Sequence, residues 1–173
     1  MEKIVDTFVI NVGFIVNESI GYRHTFKFEF DHVQLEDDLS LDDLDGAVVV
    51  SRASKGLLVR ADFSALTEIA CGRCLNKFML PLNVEFSELY TFHTHADEDT
   101  EVVLPSNHRI DLEPLLREYL LLAIPINPIC RAECQGLCPI CGASLDDEIC
   151  DCDRDVIDPR MAKLKQLLDD EEG

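Results

Sequence analysis

Basic residues are scarce in this chain. Fifteen lysines and arginines face 34 aspartates and glutamates, a formal net charge of −19 in 173 residues with a pI near 4.4. Nucleic-acid binding draws most of its affinity from lysines and arginines that neutralise phosphates, so this field repels a bare RNA backbone at long range. A basic protein partner suits it better, unless the charge serves only solubility. Apolar runs of membrane length are missing too, since no segment approaches the ~20 residues a spanning helix needs. The opening MEKIVDTFVINVGFIVN has the lysine and apolar stretch of a signal peptide, but Asp6 and Asn11 interrupt it and no A-x-A-like cleavage site follows. A buried strand is expected there, and a cytoplasmic placement for the protein. Also absent are a nucleophile elbow, a phosphate loop and a histidine-containing metalloprotease motif.

What is present is a 47% apolar content, enough to bury a core in one domain or one domain with a small appendage. Period-two alternation dominates the N-terminal half. From Tyr22 to Phe30 the aromatics and His24 share one face, while Arg23, Thr25, Lys27 and Glu29 share the other, as a half-buried strand requires. His24 is read as a core-edge residue. The acidic stretch from Glu36 to Gly46, with leucines at 35, 39, 41 and 44, is expected to form a short helix or wrapped loop, a solvated connection rather than a docking patch. Ala47 to Val50, a turn at Ser54-Lys55-Gly56, and Leu57 to about Ile69 read as a hairpin, with alternation resuming at Leu80, Leu82, Val84 and Phe86 towards Phe92.

His93 and His95 border an acidic loop without a third ligand at a recognised spacing and are read as loop residues. Over residues 111–124 the period turns helical, with Asp111 as cap, Pro114 in the first turn, and Pro125 and Pro128 as stops. A short terminal helix is expected from Asp158-Pro159, with Met161, Leu164 and Leu168 on one side. These readings give an α+β fold: a mostly antiparallel β-sheet, with a partly open barrel as one form it could take, and one packed helix. A cysteine-rich, zinc-ribbon-like C-terminal segment ending in the short helix completes it. Residues 1–127 would form the β-rich body and 128–173 the metal-binding segment.

The eight cysteines carry the chemistry. In a reducing compartment, clustered cysteines point to metal or redox work rather than disulfides. Cys71 and Cys74 form a C-x-x-C at a hairpin tip, where Gly72 permits a tight turn. Cys138 and Cys141, with Pro139, Ile140 and Gly142, have the shape of a rubredoxin-type knuckle, and Cys150 and Cys152 complete four thiolates, the ligand count of a closed structural zinc site. Cys130 and Cys134 then pair with Cys71 and Cys74 as a second four-cysteine site, giving two zincs. The alternative joins the two C-x-x-C knuckles; the first pairing is preferred because local closure loses less chain entropy. An iron–sulfur cluster is less favoured, as the regular ferredoxin runs are absent. Four sulfurs leave no open position, so the metal is read as structural rather than catalytic.

Cys71-Gly-Arg-Cys74-Leu75 with Phe78 and Pro81, the Asp111-Leu-x-Pro-Leu-Leu-Arg-Glu helix, and LLLAIPINPICRAECQGLCPICGASL together resemble the YceD family. The resemblance implies a metal-binding protein linked to accumulation of large-subunit ribosomal RNA, its gene commonly beside that of a small basic ribosomal protein. It brings no catalytic residue, and makes Cys71, Cys74, Cys130, Cys134, Cys138, Cys141, Cys150 and Cys152 presumed ligands. The expected function is thus a non-enzymatic assembly factor that contacts a basic ribosomal protein or a large-subunit precursor particle. Two alternatives stand beside it: a thiol-redox or metal-dependent enzyme, and a zinc-knuckle RNA-binding module using Arg73, Lys77 and Arg131 as a local basic patch.

Overall fold

A computed structural model of the chain describes residues 7–36, 38–93, 102–146 and 150–152. Its elements run β1 (Val9–Asn11), α1 (Gly13–Val16), β2 (Arg23–Leu35), β3 (Leu39–Arg52), β4 (Gly56–Ala70), β5 (Lys77–Thr91), β6 (Arg109–Asp111) and α2 (Glu113–Ala123). The long strands form an antiparallel meander in the order β2-β3-β4-β5, and β1 pairs with β6 in a separate two-stranded sheet. β2 and β5 are edges that do not pair with each other, so the sheet is open and not a closed barrel. Pro81 lies in β5, where an edge strand tolerates the missing N–H.

Alternation decides which face is covered. On the inner face Phe26, Val48, Ala61 and Phe86 lie in one row across the strands, and Phe28, Gly46, Phe63 and Val84 in the next. Phe8, Ile10, Val12 and Ile15 from the N-terminal segment and Leu116 and Leu120 from α2 close over this face. The Tyr119 ring stacks on Phe86 with centroids 4.8 Å apart, and Phe8 stacks on Phe28 at 5.7 Å. Burial of these side chains is the main driving force for the sheet and its cover. None of the eight cysteines belongs to this cluster; Cys71, Cys74 and Cys134 form their own with Phe78 and Cys130.

Several expectations change. The acidic stretch 36–46 is neither helix nor wrapped loop: after the turn at Glu36 and Asp38 it is the first half of β3. Leu39 and Leu41 point inward, a bulge between Asp42 and Asp45 inserts one residue, and Leu44 then joins Val48 and Val50 on the covered face. Arg117 of α2 reaches this turn, donating from Nε to Asp38 Oδ1 at 3.0 Å with Glu36 Oε2 at 3.2 Å. The N-terminal stretch is not one strand but β1 followed by the single turn α1, residues 1–6 lying outside the described set. Asp111 ends β6, and its Oδ1 still accepts the Glu113 N–H at 3.0 Å, so it caps α2 from one residue further back than expected. The expected helix after Asp158 falls outside the described residues, as does His95. Among the described residues no helix is long and apolar enough to cross a membrane.

Candidate metal centre

The β4–β5 turn presents the first pair of sulfurs. Cys71 N–H donates to Asn76 O at 2.9 Å and Leu75 N–H to Cys71 O at 3.0 Å, closing the tip, with Leu75 at φ 63°. This places Cys71 and Cys74 side by side and buried. Residues after α2 cross the tip: Gly72 N–H donates to Pro128 O at 2.7 Å, and a Cβ on Gly72 would stand 2.0 Å from Asn127 Oδ1. A side chain at this position would have to displace the Asn127 amide, while the backbone of the crossing segment, nearest at Pro128 O, stays 3.4 Å away. The crossing brings in Cys130 and Cys134, and Arg73 Nη1 fastens them by donating to Cys134 O at 2.8 Å.

The other four cysteines gather beside a small turn. Leu137 bridges to Ser144, Cys138 N–H donates to Ala143 O at 2.8 Å, and Gly142 N–H to Cys138 O at 2.9 Å with Gly142 at φ 76°. Cys138 is buried, Cys141 exposed, and Cys150 and Cys152 half-buried.

The eight cysteines therefore meet as Cys71, Cys74, Cys130 and Cys134, and as Cys138, Cys141, Cys150 and Cys152, with the sulfurs of each group within 4.8 Å of one another. A tetrahedron with metal–sulfur distances of about 2.3 Å has sulfur–sulfur edges of about 3.8 Å. Cys71 Sγ lies 3.9 Å from Cys134 Sγ, and Cys74 Sγ 3.8 Å from Cys130 Sγ. The donor set and spacing fit a single ion, so each group could hold one metal. The described cysteines form no disulfide.

Electrostatics divide each group in the same way. The Cys71 thiol is pulled down to about 6, chiefly by the Cys74 backbone N–H, with those of Cys130 and Arg73 adding and burial opposing. Cys138 is pulled down to about 6 by the N–H groups of Cys141 and Ile140. Across the sites burial, then the Cys74 thiol and the Asp146 carboxylate, push Cys134 up to about 12, and burial with neighbouring thiols also raises Cys130. The Cys141 thiol and then burial push Cys152 up to about 12. Four crowded sulfurs cannot all ionise unless a cation replaces the protons.

The three cations proposed as a phosphate-binding patch all have partners within the chain. Arg73 is on Cys134 O, Arg131 Nη2 on Asp146 Oδ1 at 2.9 Å, and Lys77 Nζ on Glu68 Oε1 at 2.7 Å. His93 lines a small apolar cleft of about 290 Å³ with Val16, Phe92, Leu104 and His108, away from the cysteines. Asp146 carries no signal in the sequence: it opens a short acidic run that resembles any solvated loop, and nothing in that run marks it as a carboxylate turned inward.

Comparison with known proteins adds a family. The family described as large ribosomal RNA subunit accumulation protein YceD matches residues 59–168. An uncharacterized protein of Mycobacterium tuberculosis is 36% identical over 129 residues, 72% of this chain and 62% of that protein. Bacillus subtilis YlbN, also uncharacterized, is 33% identical over 124 residues, 68% of this chain and 72% of its own length. The Arabidopsis thaliana large ribosomal RNA subunit accumulation protein YCED homolog 1, chloroplastic, is 33% identical over 72 residues, 40% of this chain and 22% of that protein. The chain thus spans less than two thirds of its mycobacterial relative. No solved structure matches it.

Proposed function

The chain belongs to the YceD family, and from that membership we propose that it is a non-enzymatic zinc-binding factor in large-subunit ribosome biogenesis, supporting accumulation of large-subunit ribosomal RNA. The observation that carries the zinc assignment is the pair of four-sulfur groups, each compact enough for one tetrahedral ion. A polynuclear iron–sulfur cluster needs room between its thiolates for bridging sulfides, which these groupings lack. The eight cysteines are the ligands on this reading, and the ions hold the segment after α2 onto the hairpin tip. With every coordination position taken by sulfur, no site is left for a substrate on the metal.

The factor works in the cytoplasm through protein contacts, with a basic ribosomal protein or a large-subunit precursor particle as partner. The net charge of −19 supports this, as does the internal pairing of Arg73, Lys77 and Arg131. Tagged protein from growing cells, cross-linked and identified by mass, should yield large-subunit proteins, and depletion should lower large-subunit relative to small-subunit ribosomal RNA. Recovery of RNA that persists after partner proteins are stripped, without any ribosomal protein, would overturn the protein-contact reading.

A further inference from the structure

The two sulfur groups do not stand apart. Asp146 lies between Cys141 and Cys150, inside the loop that the second group closes, yet its side chain is 8% exposed and turned towards the first group. Its Oδ1 accepts the Gln135 N–H at 3.2 Å and an N–H of Arg131 Nη2 at 2.9 Å. Arg131 stands between Cys130 and Cys134 in sequence, so the ion pair ties Asp146 to the loop that carries both sulfurs. Leu145 N–H donates to Gly136 O at 2.9 Å, so the segment carrying Asp146 is laced to the segment carrying Cys134. A four-thiolate site holding a divalent ion has a net charge of about −2, which a fixed guanidinium stabilises.

We propose that Asp146 is a positioning residue: filling of the Cys138/Cys141/Cys150/Cys152 site fixes Asp146, which through Arg131 and the Gln135 N–H holds the loop carrying Cys130 and Cys134 and so tightens the Cys71/Cys74/Cys130/Cys134 site. The proposal rests on the metal reading above. The two sites then differ in role. The first is buried under the hairpin tip, with Cys71 and Cys134 at 0% and 2% exposure. The second has an exposed thiol at Cys141 and is the one that exchanges. Loss of metal from the exposed site loosens the grip of the buried one, so the arm formed by the segment after α2, residues 125–152, responds to metal supply as a unit.

The test uses the full chain loaded with Zn2+, with metal content, release to a chromophoric chelator, and alkylation of each cysteine followed by mass spectrometry. Two zincs per chain, released in two phases, are expected, with Cys141 alkylated before Cys71 and Cys134. Asp146→Ala should speed the slow phase about ten- to a hundredfold, the range seen when an outer partner of a metal ligand is removed. Asp146→Asn, which keeps an acceptor for Gln135 but drops the charge, should give part of that effect. Cys138→Ser should leave one zinc that departs as fast as the slow-phase metal of Asp146→Ala, and the double variant should be no faster than either, because the two act through one path. Unchanged release in Asp146→Ala, or effects of the two substitutions that multiply, would overturn the coupling while leaving the metal reading intact. A wild-type chain that takes up no zinc would overturn the metal reading itself. Hydrogen exchange in β3 and β4 checks that each variant keeps its sheet.

Discussion

Replacing Cys71 with serine isolates what the buried site contributes. Cys71 Sγ accepts N–H bonds from Arg73 and Cys130, both at 3.4 Å, so it organises the tip and the crossing segment together. Serine has a shorter side chain and a hydroxyl that stays protonated, and it cannot replace the thiolate. Without an ion, the ten residues from Pro125 to Cys134 are held to the tip chiefly by Gly72 N–H to Pro128 O and Arg73 Nη1 to Cys134 O. Each hydrogen bond is worth about 1 kcal/mol net, whereas ordering ten residues costs roughly 10–20 kcal/mol. Structural zinc supplies about 10–16 kcal/mol in small metal-folded peptides, so an ion held by the four sulfurs would close this balance. We expect Cys71→Ser to lose one zinc and to free the arm while the sheet keeps its stability, since the main apolar cluster contains no cysteine. Hydrogen exchange should show Gly72 and Cys134 amides losing protection by several orders of magnitude, while the Cys138 amide, bonded within the other sulfur group's turn, and strand amides such as Val59 keep theirs. If the variant holds one zinc and the Gly72 and Cys134 amides stay protected, or if arm and sheet melt together, the reasoning fails.

Other outcomes follow from the same geometry. Gly46 sits in the row opposite Phe63, and a Cβ there would stand 2.1 Å from Phe63 Cδ1; Gly46→Ala should therefore cost about 1–3 kcal/mol by overpacking, read as a lower urea midpoint. Leu116 is fully buried between α2 and the sheet, and Leu116→Ala should cost about 2–5 kcal/mol without changing metal content, a combination that a joint calorimetric and elemental measurement distinguishes. Zinc uptake by the metal-free chain at pH 7 should release protons, because Cys130, Cys134 and Cys152 sit above the ordinary thiol range and hold theirs, while Cys71 and Cys138, near 6, have largely lost theirs. Affinity should fall as pH drops and fall faster below about 6, where those last two must also be deprotonated by the metal; titrations in buffers of different ionisation heat that agree with one another would contradict this.

How far these features were legible in the sequence depends on whether a local pattern carried them. Strands β4 and β5 announced themselves because each buries one face and so alternates along its length, and β2 did so as far as Phe30, beyond which the covered positions shift to Val33 and Leu35. β3 did not: the bulge at Asp42–Asp45 moves the apolar phase from Leu39 and Leu41 to Leu44, and the resulting three-residue step imitates a helix. The grouping of the cysteines was readable from spacing and loop length, because a knuckle fixes its own geometry over four residues. Asp146 and the Gly72–Pro128 crossing were not readable, since each depends on which distant segment arrives beside it.

The extent of the family match has a physical reading too. It begins at Val59, inside β4, and so takes in the β4–β5 hairpin, α2 and the cysteine segment but neither β2 nor β3. A two-stranded hairpin is marginally stable alone, and the inner residues of β4, Val59, Ala61, Phe63 and Ala65, are buried here with Val48, Val50 and Leu44 of β3 in one cluster. The unmatched strands β2 and β3 thus extend the sheet beside β4, yet what they supply is an alternating apolar face, a demand that many sequences meet. The matched part has tighter requirements: a glycine at Gly136, where φ is 82° and a Cβ would stand 3.0 Å from Arg73 O, sulfurs at fixed steps, and a proline-stopped helix that delivers the following segment to the tip. Sequence similarity should gather where geometry leaves one residue type and thin out where only hydrophobicity is required, which places the specific chemistry of this fold in the hairpin tip and the arm rather than in the sheet that supports them.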